Sequence, residues 1–113
     1  MSDLVYVSIT GIQLKKFYYA PLFWRYALGA MSQAKEANGC LSADATTING
    51  VRHTRSVWTS RKAMLTYLSA GAHLKAMKIH KRIATGKVYG FETTKVPSWQ
   101  ESHIIWHEKG RDV

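Results

Sequence analysis

Cysteine, proline and carboxylates are all scarce in this sequence of 113 residues. It holds one cysteine, Cys40, two prolines, and seven Asp or Glu against sixteen Lys or Arg. A lone cysteine excludes an internal disulfide and fits a reducing compartment, so a cytoplasmic protein is the expectation. No apolar run approaches the roughly 18 residues that a membrane-spanning helix needs. The start, MSDLVYVSIT, has no basic flank, no long apolar core and no small-residue cleavage site, which argues against a signal peptide. There is no Gly-rich phosphate loop, no Ser-His-Asp order and no paired-carboxylate arrangement.

What is present is enough for one folded unit. With 46% apolar and 12% aromatic residues, the chain reads as a single domain over 1–113, able to bury one core. The formal charge of +9 would suit an anionic partner. Yet Lys and Arg are scattered, with local density only at Lys75, Lys78, Lys81 and Arg82, so a basic surface is favoured over nucleic-acid binding.

Alternation in LVYVSIT (4–10) predicts a first strand, with Val5, Val7 and Ile9 on one face. Residues 11–20 read as a connection carrying three rings, Phe17-Tyr18-Tyr19, which cover a core edge, line a pocket or meet a partner subunit. Pro21 opens a helix with an apolar stripe through Ala37, closed by Asn38-Gly39. A strand over 40–48, the Asn49-Gly50 hairpin turn and a strand over 51–59 follow. That third strand points Val51, His53, Arg55 and Val57 one way, and Thr54, Ser56 and Trp58 the other. Polar residues on both faces make sense if one face lines a pocket or a subunit interface. Ser60 caps the next helix, whose buried side is read as Met64, Leu65, Tyr67 and Leu68. Ala70-Gly71 interrupts it, and a second segment, 72–84, sets His73, Met77 and His80 along one stripe, ending at Thr85-Gly86. A strand over 87–96 contains Gly90, a sign of a bulge or close backbone approach. Ser98 and Glu101 form a capping box for a short helix over 99–109.

The order β-α-β-β-α-β predicts an α+β, ferredoxin-like core over about 4–96, with an appendage over 97–113 that acts as a lid or dimer strut. Both helices fall on one face of an antiparallel sheet. The other face needs cover, most simply from a second copy, so a homodimer is expected.

Several side chains compete for a functional reading. Tyr67, Trp58 and Trp24 form either an aromatic wall for a flat ligand, with Tyr6 contributing, or plain core. His73 is either a general base facing a cavity or a helix-terminal histidine. His103 and His107 have metal-ligand spacing but no third ligand, and no metal is expected. His53 and Arg55 read as interface residues, and Asp44 as a structural partner of Arg55 across the hairpin.

The stretch from Trp58 through Ser60, Ala63-Met64 and Ala70-Gly71 to His73 resembles the antibiotic-biosynthesis-monooxygenase family of dimeric α+β barrels. The resemblance covers roughly residues 4 to 96. It implies a homodimer that oxidises a small aromatic or polyketide-like substrate without a cofactor. In that reading His73 removes a proton, and Trp58, Tyr67, Trp24, Met77 and Tyr6 hold the ring. The resulting anion reacts directly with O₂. Two alternatives stay open, a non-catalytic binder of haem or another hydrophobic anion and a structural homodimer. The haem-degrading branch of the superfamily is disfavoured, because Tyr67 and Met77 stand where it has Trp and His, and the first strand has no Asn.

Overall fold

A computed structural model describes residues 4–68 and 82–112. Five antiparallel strands form one sheet: β1 (Val5–Leu14), β2 (Cys40–Ile48), β3 (Val51–Trp58), β4 (Ala84–Thr93) and the two-residue β5 (Arg111–Asp112). Their order across the sheet is β2-β3-β1-β4-β5. The first four strands thus have the ferredoxin-like arrangement expected from the element order, and the chain is α+β. Among the described residues three α-helices of more than one turn accompany them, α1 (Ala20–Glu36), α2 (Arg61–Leu68) and α3 (Trp99–Lys109), and a 3₁₀ turn at Phe17–Tyr19 leads into α1.

Local chemistry accounts for most of these boundaries. Asn49 and Gly50 both take positive φ, 51° and 78°, as a two-residue type I′ hairpin requires. Register then places Asp44 opposite Arg55, and their side chains lie 3.9 Å apart. Ser60 Oγ accepts the Ala63 N–H at 3.1 Å and caps α2. Ser98 and Glu101 form both halves of the capping box that starts α3. Gly39, at φ 88°, turns the chain out of α1. A Cβ there would also collide with Ala63 and Thr59.

Two boundaries and one burial assignment differ from the sequence reading. β1 runs on to Leu14, so Ile12 and Leu14 extend the strand rather than start a connection. β4 begins at Ala84, which puts Thr85-Gly86 inside a strand instead of at a helix end. Pairing with the long β1 captures those residues, overriding glycine's weak strand preference. Leu65, assigned to the buried side of α2, is 42% exposed, while Met64 and Tyr67 are buried. The Ala70-Gly71 break and the segment carrying His73, Met77 and His80 lie outside the described residues.

Alternation along the central strands gives the sheet two unlike faces. On one face, Phe23 of α1 packs with Ile83 and Ala84 at one end. At the other end Ala34 of α1 and Met64 and Tyr67 of α2 pack on Ala43 and Trp58. Alanines on α1 let the helix lie close to the sheet.

The opposite face carries Val7, Ile9, Val51 and Val57, and it is α3 that covers them, through Trp106. Gly11 makes the seat: any Cβ there would run into the Trp106 indole. The Trp106 Nε1–H donates to Lys87 O at 2.7 Å, so this buried ring has no unmet donor. Beside it His53, 1% exposed, meets His103 of α3, Nε2 to Nδ1, at 2.7 Å. His53 Nδ1 faces Thr10 O at 3.3 Å. A carbonyl only accepts, so Nδ1 of His53 bears the proton, and His103 Nδ1–H donates to His53 Nε2. Further along, Arg55 Nη1 donates to Pro97 O at 2.8 Å, and its guanidinium lies 4.2 Å from the Trp99 ring centroid.

Residues 97–112 are therefore a layer of the fold, not a lid over the helix side. His53 and Arg55 contact the chain's own C-terminal helix, where the sequence suggested a partner subunit. The layer argument for a homodimer loses its premise, because the face that needed cover has it. His103 is engaged by His53, and its ring centroid stands 6.4 Å from that of His107. Among the described residues no group of three or more His, Cys, Asp or Glu is placed to hold a metal ion.

Two predictions follow from this packing. Removing the Trp106 ring, as in Trp106→Ala, costs about 3–5 kcal/mol in chemical unfolding, and Gly11→Val gives a comparable loss by displacing the ring. The second concerns pH. Burial, against a smaller opposing effect from the Thr10 carbonyl, lowers the His53 pKa below its ordinary value. Below about pH 6.5 the unfolded chain therefore binds more protons than the folded one. The stabilisation is complete above that pH and is lost as pH falls through the depressed folded value. Melting temperature should drop between pH 7 and pH 5, and drop less in His53→Gln; equal pH profiles for the two proteins would contradict this.

Candidate functional site

The helix-covered face has apolar ends and a polar middle. Trp58 stands at the last position of β3, in register with Tyr6 on one side and Cys40 on the other. It is fully buried. Tyr67 of α2 lies against it, with ring centroids 5.1 Å apart and planes tilted by 31°. Tyr6 packs on the same cluster and leans over Gly90 of β4, where a Cβ would meet its hydroxyl. Close approach is thus what Gly90 permits within its strand. Three of the ring positions picked from the sequence, Trp58, Tyr67 and Tyr6, are brought together.

Trp24 is not with them. It belongs to the cluster at the other end of α1, edge-on to Phe23 at 5.0 Å. α1 sets it in a different cluster from Trp58, at the other end of the sheet. His73 and Met77 lie outside the described residues.

Tyr67 is a fixed donor. Its hydroxyl donates to Ala30 O at 2.8 Å, a bond from α2 to α1. Burial, with a smaller contribution from Cys40, pushes its pKa up to about 12. The phenol is therefore neutral across the physiological range and cannot serve as a base there. The Cys40 thiol is also pushed up, mainly by burial, and its Sγ is 3.5 Å from Ser42 O. It is no thiolate nucleophile at neutral pH.

Between the two apolar ends run four hydroxyls in register. Ser8 pairs with Ser56, and Thr10 with Thr54. All four share the Trp58 side by alternation, and all are partly exposed. Central positions on a helix-covered sheet are ordinarily apolar and closed, so four partly exposed hydroxyls there are unusual. At the Tyr6 end, Glu92 of β4 is in register with Tyr6 and is exposed. Sequence reasoning noted the odd polarity of β3 but missed Ser8, Thr10 and Glu92 as neighbours. Their signal was the pairing of a polar face of β1 with the polar face of β3.

One atom stands out chemically. Trp58 Nε1–H is buried and has no hydrogen-bond partner. Such a donor costs about 1–3 kcal/mol when left unmet, and it sits among rings beside a hydroxyl ribbon. Two shallow clefts are lined by described residues, and neither touches it. One, of about 260 Å³, lies at Gly11, Gln13, Lys87 and Trp106. The other, of about 310 Å³, runs along β2 from Cys40 to Asp44. Neither is lined by Trp58 or Tyr67, although Cys40 and Ala43 of the second pack in the same cluster as that pair.

No protein-family model matches the sequence, and no curated protein matches it. Solved structures do. A putative antibiotic biosynthesis monooxygenase from Nitrosomonas europaea superposes with a TM-score of 0.70 at 13% identity, over 81% of this chain and 90% of its own. SnoaB from Streptomyces nogalater, a cofactor-independent oxygenase, gives 0.66 at 10% identity, over 84% and 96%. A Bacteroides thetaiotaomicron protein described as a possible oxidoreductase gives 0.68 at 12% identity, over 82% and 100%. At such identities the likeness shows the fold, which is that of antibiotic-biosynthesis-monooxygenase-like proteins, and leaves the activity to the site.

The Tyr67 bond gives a direct prediction. Tyr67→Phe keeps the ring against Trp58 but leaves Ala30 O without this donor, and should cost about 1 kcal/mol in unfolding free energy. No change in stability would mean that the α1–α2 bond contributes nothing.

Proposed function

We propose that this chain, which has the fold of antibiotic-biosynthesis-monooxygenase-like proteins, binds a flat aromatic or polyketide-like molecule on the helix-covered face. On this reading it promotes that molecule's oxidation by O₂ without a metal or flavin. The observation that carries the reading is the buried, unpartnered Trp58 N–H beside the Ser8, Thr10, Thr54 and Ser56 hydroxyls. A ligand oxygen would meet that donor, and the rings of Tyr6 and Tyr67 would pack on the ligand's edge.

The chemistry follows from what a base and a donor can do together. A base removes a proton from an activated methylene or phenol. The electron-rich anion then passes electrons to O₂ and combines with it. For a methylene substrate the carbon gains one oxygen as a new carbonyl, and the second oxygen leaves as water with both hydrogens. Trp58 N–H would stabilise the anion's oxygen, the point where charge develops. His73 is the proposed base. Glu92, opposite Tyr6, is the described carboxylate on this face and is the other group able to take the proton. A homodimer remains part of this reading through the fold likeness alone.

The test is aerobic turnover of an anthrone or hydroquinone with purified protein, followed by absorbance and oxygen uptake. We expect Trp58→Phe, which keeps an aromatic side chain and removes the donor, to lower kcat/KM about tenfold or more. His73→Ala should lower kcat more than it raises KM. No turnover of either substrate class, or turnover indifferent to both substitutions, defeats the mechanism. A Soret band in the purified protein would instead support the alternative of a haem-binding protein.

A further inference from the structure

The 3₁₀ turn at Phe17–Tyr19 buries none of its three residues. Phe17 is 88% exposed and Tyr18 59%, and their rings touch edge-on at 5.6 Å. Tyr19 turns inward to the Phe23 cluster, which fixes the turn on the body of the protein. Apolar rings held out in water on an anchored turn are a cost with no return inside the chain. Around them the charge is of one sign. Lys15 and Lys16 immediately precede the rings and are exposed. The bond from Lys15 N to Ile83 O, at 2.8 Å, brings exposed Arg82 to within one residue of the same place. No Asp or Glu occurs between Asp3 and Glu36, and on the neighbouring sheet edge Asp112 is in register with Lys87.

Three kinds of partner take an aromatic-and-basic surface. A second copy would set Lys16 against its own equivalent, like charge on like, and residues 4–35 of the sequence supply no Asp or Glu to answer it, which disfavours a self-interface. Single-stranded nucleic acid is held in a basic groove along successive stacking rings, whereas this is a short convex turn. A convex tip of Phe and Tyr ringed by Lys and Arg matches a flat, deformable, anionic surface. There the rings enter the interfacial layer and the cations meet the headgroups. We propose that the Lys15–Tyr18 turn is a peripheral docking tip for anionic lipid bilayers. It lies on the loop leading into α1, well away from Trp58.

Vesicles of phosphatidylcholine alone, and with about one-third phosphatidylglycerol, test this by co-sedimentation of the intact protein. Binding should require the anionic lipid and weaken as salt is raised. Phe17→Ala/Tyr18→Ala should weaken it about tenfold or more, and Lys15→Gln/Lys16→Gln should weaken it as well. These side chains are exposed, so the far-UV circular dichroism of both variants should match the parent. Binding that ignores the ring substitutions, or no binding to anionic vesicles, overturns the proposal. So does tighter binding to a single-stranded oligonucleotide than to vesicles, or a dimer that Phe17→Ala converts to monomer. The turnover test of the helix-covered face is independent of all these outcomes.

Discussion

The far side of the sheet depends on a seat one side chain wide. Trp106 fits against β1 only because residue 11 has no Cβ. Everything else that holds α3 is arranged about that contact: the indole N–H on Lys87 O, the His53–His103 bond and the Arg55–Trp99 stack. A large ring buried with its donor satisfied contributes apolar area without a polar debt. The two imidazoles add direction, since the Thr10 carbonyl fixes the proton on His53 Nδ1 and leaves Nε2 to accept from His103. Together they turn a helix with little apolar surface of its own into a stable third layer.

That layer decides where a ligand can go. With Val7, Ile9, Val51 and Val57 closed under α3, the far face is packed at its centre, and its cleft lies at the rim beside Gly11, Lys87 and Trp106. The near face differs because its centre is built of small hydroxyl side chains, which neither fill space nor reward closure. Apolar clusters at either end hold α1 and α2 to the sheet, and the hydroxyl side chains between them stay partly exposed. The same alternation in β3 gives one face its valines and the other its hydroxyls.

Much of this architecture was legible in the sequence, because turns and caps are written in short local codes. Asn49-Gly50, Ser60, the Ser98–Glu101 box and the alternation of β3 each specify geometry within a few residues, and each is found as read. What failed was non-local. α3 carries Ser102, His103 and Trp106 inward, a mixture with no apolar stripe, so its pattern does not announce that it covers a sheet. Trp24 and Trp58 read together as an aromatic wall. Yet Trp24 lies near the start of α1, and Ala34, which packs near Trp58, comes ten residues later, about 15 Å along a helix. Periodicity gives a face; it does not give a position along that face. Likewise the hydroxyl ribbon needs two strands in register before it becomes visible, and pairing is not a property of either strand alone.

The division of labour on the near face also limits the chemistry. Tyr67 is held neutral and already donates to α1, so it can pack and orient but cannot take a proton at neutral pH. The histidines at 53, 103 and 107 belong to β3 and α3 on the far side, separated from the ribbon by the sheet itself. Trp58 supplies a donor and the hydroxyls supply polarity, yet none of these is a base. Among the described residues of this face, Glu92, in register with Tyr6, is the carboxylate that could take a proton on the proposed reading. A carboxylate is a weak base, so a substrate served by it would be an acidic one, such as a phenol-stabilised methylene.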